Sequence, residues 1–329
     1  MTVTKKDFWQ PTTTLAMLQN RAKLLNNIRQ FFAERQVLEV ETPLLSHATV
    51  TDPHLHSFQT HYYSDKSNCK QTFYLQTSPE FAMKRLLAAG SGPIYQISKA
   101  FRNRGESGRF HNPEFSLLEW YRPGYDHHQL MDEVEDLLKY LLDCDIAQRW
   151  CYAEVFQRYL NIDAHQADIA DLKPIIASLN VGAENLGLAT LADHLNFLMA
   201  HIIEPQLPKK QLVFIYDFPV SLAALAKVSH MTGGPIAERF EVYFSGIELA
   251  NGFHELADAN EQQRRFENDL NNRAQRGYPC VTIDEHMLAA LAHGFPDCAG
   301  VALGIDRLLM LMSKKNNLSD VISFPIDRS

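Results

Sequence analysis

Three arginines, a histidine, two glycines and an acid crowd the middle of FRNRGESGRFHNPEFSLLEWY, residues 101–121. The flanking runs, IYQISKAF and EFSLLEWY, are apolar and of strand length. A cationic loop held between core strands suits capture of an anion, because an arginine fork meets phosphate or carboxylate oxygens two at a time. After the loop, period two places Phe115, Leu117, Glu119 and Tyr121 on one face. That face is either the wall of a polar pocket or the wet side of an edge strand.

Two further groupings carry charge in informative places. RFEVYF and IELANGF flank Ser245-Gly246, the pattern of a hairpin with a two-residue turn. The turn pairs Phe244 with Ile247 and sets Tyr243 opposite Glu248. Glu241 shares the face of Tyr243, so Glu241 and Glu248 become diagonal neighbours, about 7–8 Å apart at the backbone. Two acids that close are either exposed to water or share a cation. Mg²⁺ takes one or two carboxylates together with phosphate oxygens. The third grouping is GVALGIDRLLMLM, a strand running into a helix, with Arg307 in the first helical turn. The helix dipole disfavours a cation there. Arg307 is either paired with an acid such as Asp306 or aimed at an anion. Arginines plus a two-carboxylate metal site are what a nucleoside triphosphate needs. No GxxxxGK[ST] occurs, so P-loop chemistry is excluded, and Gly105 and Gly108 make no dinucleotide fingerprint.

Local patterns supply the elements. Leu18, Ala22, Leu25, Ile28 and Phe32 recur at helical spacing over residues 15–35. VLEVETPLL is strand-like, with Pro43 near its end. SPEFAMKRLLAA, residues 78–89, predicts a helix with Ser78 as N-cap and Pro79 at the first helical position, stopped by Gly90 and Gly92. Helices are also expected over 128–142 and 257–276, and a strand over LVFIYDFP. Residues 145–210 mix short helices with polar loops and read as an insertion. Strands do not alternate strictly with helices, so the expected class is α+β, a mainly antiparallel sheet flanked by helices. Trp120 should point into the core, opposite Glu119 and Tyr121, and Met310 and Met312 read as packing. His54 and His56 alternate on an extended segment as surface residues, and His127-His128 opens a helix.

The chain has 329 residues and a net charge of -8, from 31 basic and 39 acidic side chains, which argues against a general nucleic-acid binder. Five cysteines without a CxxC pair suit reduced thiols in the cytoplasm. No run approaches the ~20 apolar residues of a membrane span, and no signal peptide is apparent.

With these residues in place, the chain resembles the class II aminoacyl-tRNA synthetases, specifically the lysyl enzymes. FFAERQVLEVETPLL looks like motif 1, FRN…HNPEFSLLEWY like motif 2 and ALGIDRLLML like motif 3. TSPE at 77–80 and FSGIELANGFHEL at 244–256 follow the lysyl pattern, and the likeness runs from about residue 15 to 325. Motif 1 begins almost at once, so residues 1–329 read as a single catalytic domain, without the anticodon-binding barrel of lysyl-tRNA synthetases. That architecture resembles the truncated lysyl-synthetase-like family that joins (R)-β-lysine to elongation factor P.

The resemblance implies roles. Arg102 holds the α-phosphate of ATP, Arg307 the γ-phosphate and one adenine face, and Phe115 the other face. Asn103, His111, Asn112, Leu249 and Gly304 belong to the nucleotide site, and Glu241 and Glu248 to Mg²⁺. Ser78, Pro79, Glu80, Glu119, Tyr121, Asn251, Glu255 and Ala302 line the amino-acid pocket. β-Lysine carries two ammonium groups. Glu80 and Glu119 suit one and Glu255 with Tyr121 the other, because a buried cation needs a paired acid. The family's motif 2 reads FRNE where this chain has Arg104, so Glu106 is the acid left to meet adenine. Ala302 stands where lysyl-tRNA synthetases have glycine, a change compatible with β-lysine over α-lysine. The resemblance also implies a homodimer through motif 1, elongation factor P as protein substrate, and no tRNA. The alternative is a minimal α-lysine-activating enzyme that charges tRNA or another amine.

Overall fold

Thr14 starts the first helix by accepting a hydrogen bond from the backbone of Met17 at 3.3 Å. A computed structural model describes residues 9–63, 70–104, 108–142, 144–179, 187–231 and 233–329. In chain order the elements are α1 (Leu15–Glu34), β1 (Leu38–Glu39), β2 (Leu45–Ser46), β3 (Gln59–Tyr63), β4 (Lys70–Leu75), α2 (Glu80–Ala88), β5 (Ile94–Phe101), β6 (Glu114–Pro123) and α3 (His127–Leu141). There follow β7 (Asp145–Cys151), α4 (Tyr152–Leu160), α5 (Ile169–Ser178), α6 (Leu191–Leu198), β8 (Gln211–Pro219), β9 (Val228–Met231), β10 (Gly234–Phe244) and β11 (Ile247–His254). The last are α7 (Ala259–Gln275), α8 (Glu285–Gly294), β12 (Cys298–Gly304) and α9 (Ile305–Met312). The class is α+β with mainly antiparallel pairing, as the order of elements implied.

Two compact units divide the chain. The first holds residues 1–124, 257–298 and 302–329, and the second 125–256 and 299–301. In the first, β1 runs parallel to β5 and β5 antiparallel to β6, while β2, β4 and β3 form a small separate sheet. In the second, β11, β10 and β8 are successive antiparallel neighbours, β7 is parallel to β8, and β9 pairs with β10. The segment 145–210 opens on β7, and its further described elements are helices, of which α4, α5 and α6 pack over β8 through Tyr152, Phe156, Leu172, Leu195, Val213 and Ile215.

Several local expectations shift. The buried stripe of α1 is Met17, Leu24, Ile28, Phe31 and Phe32; Ala22 is exposed, and Leu18 and Leu25 are half-buried. The aromatic pair turns the helix, because Phe32 stacks on Tyr95 at 4.4 Å and meets Trp120 edge-on at 5.4 Å. Trp120 therefore enters the core, opposite its neighbours. VLEVETPLL forms two short strands around Pro43 rather than one. Helix α2 begins one residue late: the Pro79 carbonyl accepts the first helical bond, from Met83, so Pro79 is the N-cap and Ser78 lies outside. His56 is half-buried, edge-on to Tyr278, and its carbonyl accepts from the Asn103 N–H at 2.6 Å. Met310 is fully buried and Met312 half-buried.

One buried carboxylate ties three of the first unit's elements. Asp306, in the first turn of α9, accepts from the Arg21 guanidinium of α1 and, at 2.7 Å, from the Ser116 backbone N–H of β6. Breaking a buried ion pair from one side strands the other charge. Asp306→Asn is expected to lower the unfolding free energy by about 3 kcal/mol, read as a lower urea midpoint at unchanged slope.

Candidate active site

In the first unit, β5 and β6 present the arginine loop, with Ala100 opposite Phe115 and Phe101 opposite Glu114. The Arg102 N–H donates to the Pro113 carbonyl at 2.9 Å, closing the base of the loop. The Arg102 guanidinium carbon lies 5.0 Å from the centre of the Phe115 ring. The cation and the flat apolar face expected to meet one nucleotide are thus neighbours. Asn103 and Arg104 follow on an exposed turn, where the Asn103 side chain accepts from the Arg104 N–H at 3.0 Å and Arg104 has φ 60°. Gly105 and Glu106 lie outside the described residues.

Arg307 reaches the far side of the same loop. Its Nε donates to the Phe110 carbonyl at 3.3 Å, and its Nη2 lies 2.8 Å from His111 Nε2. Since guanidinium only donates, His111 accepts through Nε2 and carries its proton on Nδ1. Asp306, the acid first considered for Arg307, is engaged by Arg21 instead. Gly304 is the N-cap of α9 and supplies no side-chain cap. Asn112 is buried; its amide donates to the Glu114 carbonyl at 2.6 Å and its oxygen accepts from the Ile326 N–H at 3.0 Å.

The acids expected around an amino acid have internal partners. Tyr121 donates to Glu119 Oε1 at 2.6 Å, which confirms that the two share a face of β6. Both are buried, so this is a wall within the protein and not an exposed edge. Glu80 lies 2.7 Å from the ammonium of Lys84, one helical turn on and fully buried. Ser78 and Pro79 line a cleft of about 440 Å³ together with His47, Gln76, Arg85 and residues 282–286. Ala302 is half-buried on β12.

In the second unit, Ser245 (φ 55°) and Gly246 (φ 76°) make the turn, with Phe244 opposite Ile247 and Tyr243 opposite Glu248. The left-handed turn requires such backbone at both positions, and a Cβ on Gly246 would sit 2.4 Å from the Glu204 carbonyl oxygen. The ladder then slips. Val242 faces Ala250, which leaves Leu249 as an extra residue and moves Glu241 opposite Asn251. Period two alone gave an unbroken ladder here; the bulge corrects it. Glu241 is buried, and burial raises its pKa despite the nearby Arg239 charge; the Glu248 charge pushes the same way. Glu248 thus lies near enough for its charge to be felt at Glu241.

Arg239 is the residue that reading from the sequence missed. Its Nη2 donates to Glu241 Oε1 at 2.5 Å, its Nε to Asn251 at 3.1 Å and its Nη1 to the Leu222 carbonyl at 2.8 Å. The Tyr243 hydroxyl takes the other Glu241 oxygen, and burial raises that phenol well above its usual range. The signal available was Arg239 two residues before Glu241, on the same strand face. Glu255 is buried just past β11, where its backbone bridges to Ala226.

Residues 7–328 match the family model of class II tRNA synthetases (D, K and N), and the chain belongs to that family. Curated relatives are more specific. The chain is 51% identical over 328 residues, 98% of each chain, to the elongation factor P–(R)-β-lysine ligase of Edwardsiella ictaluri. It is 51% identical over 326 residues to the protein of that name from Photobacterium profundum, covering 97% of this chain and 98% of the other. The same name and identity recur in Yersinia enterocolitica, over 98% of both chains.

Gly252 follows Asn251 on β11, and a Cβ there would lie 2.3 Å from the Phe240 ring and 3.0 Å from the side chain of Val301. Phe240 separates Arg239 from Glu241. Gly252→Ala is expected to cost about 1–3 kcal/mol of stability. It should also lower ATP–pyrophosphate exchange, both read against wild type by thermal melting and an isotope-exchange assay.

Proposed function

We propose that this chain is an ATP-dependent ligase that activates (R)-β-lysine as an aminoacyl adenylate and transfers it to a lysine ε-amine of elongation factor P. One observation carries the reading: relatives bearing that name share 51% identity with it over 98% of both chains. In the first step the substrate carboxylate attacks the α-phosphate of ATP in line, and pyrophosphate leaves. In the second the ε-amine attacks the adenylate carbonyl, forming an amide and expelling AMP. Neither step needs a protein nucleophile; positioning and charge stabilisation suffice.

The roles assigned to side chains belong to the same proposal. Arg102 neutralises charge developing on the α-phosphate, and its packing against Phe115 supports a joint role on the nucleotide. Arg307, steadied by Phe110 and His111, takes the γ-phosphate. Asn103, Asn112, Gly304 and Leu249 are assigned to the nucleotide by the resemblance to the family. By the same resemblance Glu119, oriented by Tyr121, Glu80 and Glu255 are assigned to the ammonium groups, and Asn251 and Ala302 to the amino acid. Glu80 exchanges part of its contact with Lys84 for the substrate. Glu241 and Glu248 offer the hard oxygen donors that Mg²⁺ prefers, and the Glu248 charge felt at Glu241 is one that a shared cation would offset. Bound there, Mg²⁺ would draw charge from the phosphates.

A cytoplasmic homodimer is part of the proposal. Cys151 and Cys280 are free thiols, and no helix among the described residues is long and apolar enough to cross a membrane. Leu15 and Leu38, at the start of α1 and on β1, are exposed apolar groups available to a second copy.

Two experiments test the function. Arg102→Ala should cut ATP–pyrophosphate exchange by about 10³-fold with little change in melting temperature; near-normal exchange would sink the role of Arg102. In a competition with elongation factor P, total tRNA and labelled (R)-β-lysine or α-lysine, label should enter elongation factor P, more strongly from β-lysine. Label on tRNA would instead establish a minimal lysyl-tRNA synthetase.

A further inference from the structure

We propose that His127, Glu238 and His254 form a site for a zinc-class divalent metal within the second unit, distinct from the Glu241–Glu248 pair. His127 is the first residue of α3, whose N-terminus is closed by a capping box between Asp126 and Gln129. His127 Nε2 lies 2.9 Å from Asp217 Oδ1. An ionised carboxylate only accepts, so the neutral ring carries its proton on Nε2 and a lone pair on Nδ1. The ring is 5% exposed, and its Nδ1 has no hydrogen-bond partner among the described residues. That nitrogen faces Glu238 Oε2 at 4.0 Å. A lone pair and a carboxylate oxygen at that separation, both acceptors, call for a cation between them.

The third donor comes from pairing. Arg239 faces Phe253, so the next step of the register sets Glu238 opposite His254, whose Nδ1 contacts Glu238 Oε2. The ladder between β10 and β8 shifts between Ala237 and Phe240, a bulge that re-aims Glu238. One ligand atom from each of the three residues falls within 4.8 Å of the others. Two imidazole nitrogens and one carboxylate oxygen are a borderline donor set that zinc accepts, with water filling a fourth position. Asp217, on the far nitrogen of His127, is the outer carboxylate that orients metal-bound histidines. Its own backbone sits at φ 57°, a conformation its surroundings must hold. A metal here would join the start of α3 to the end of β11, immediately before Glu255.

The test uses the full chain stripped with a chelator and dialysed, then titrated with zinc against a chromophoric competitor. About one zinc per chain should bind. Glu238→Gln and His127→Gln should each weaken binding by about 100-fold or more, and Asp217→Asn by about 10–100-fold. His293→Ala, an exposed histidine at the end of α8, should leave binding unchanged. Zinc should raise the melting temperature of wild type and not of Glu238→Gln. As a readout independent of variant folding, Co²⁺ added to wild type should give the intense visible bands of a four- or five-coordinate site. Absence of those bands, or zinc affinity unchanged in Glu238→Gln, overturns the site and leaves the three residues as a hydrogen-bonded cluster. Neither result bears on which amino acid the enzyme ligates.

Discussion

The first unit depends on the carboxylate of Asp306. It is buried, and it is held by a guanidinium from α1 and a backbone N–H from β6. The attraction outlasts the cost of desolvating the pair because the carboxylate has a charged and a neutral donor at once. The residue after Asp306 is Arg307, and the residue before Ser116 is Phe115. The same clamp that closes the core therefore sets the positions of the two side chains that flank the arginine loop. Leu318 donates its N–H to the Arg109 carbonyl, and Ile326 to Asn112, so the C-terminal segment also braces this loop.

Charge in the second unit is organised on a hairpin. Arg239, Glu241 and Tyr243 alternate along β10 and bond to one another, and Glu248 lies across the turn. A buried carboxylate needs such partners, and Arg239 supplies the positive charge that keeps Glu241 tolerable without a metal. The arrangement also explains why Glu241 is more than an exposed acid on a wet strand. Its burial makes any cation that binds it strongly felt, since screening by water is weak there.

Period and punctuation made much of this readable. Strands β5, β6 and β8 are apolar runs, and each was legible to within two residues because apolar runs bounded by turn residues have few alternatives. The Ser245-Gly246 turn was legible because only a left-handed two-residue turn matches the twist of the flanking strands. Glu119 and Tyr121 shared a face for the same reason, a strict period of two. Helix boundaries were less so: Pro79 reads equally well as the cap or the first helical residue, and the choice rests on which carbonyl accepts the first bond.

What the sequence determined by itself was the set of elements, the α+β class and the pairing of arginines with acids suited to a nucleotide, all consequences of local periodicity and side-chain chemistry. Tertiary structure alone decided which charge meets which. Asp306 chose Arg21, 285 positions away, over its neighbour Arg307. His127 met Asp217, Glu238 and His254, each on a different strand. The bulge at Leu249 likewise appeared only in the folded ladder. The reason is physical: a charge interacts with whatever lies within a few ångströms, and that distance is set by packing, to which separation along the chain is no guide.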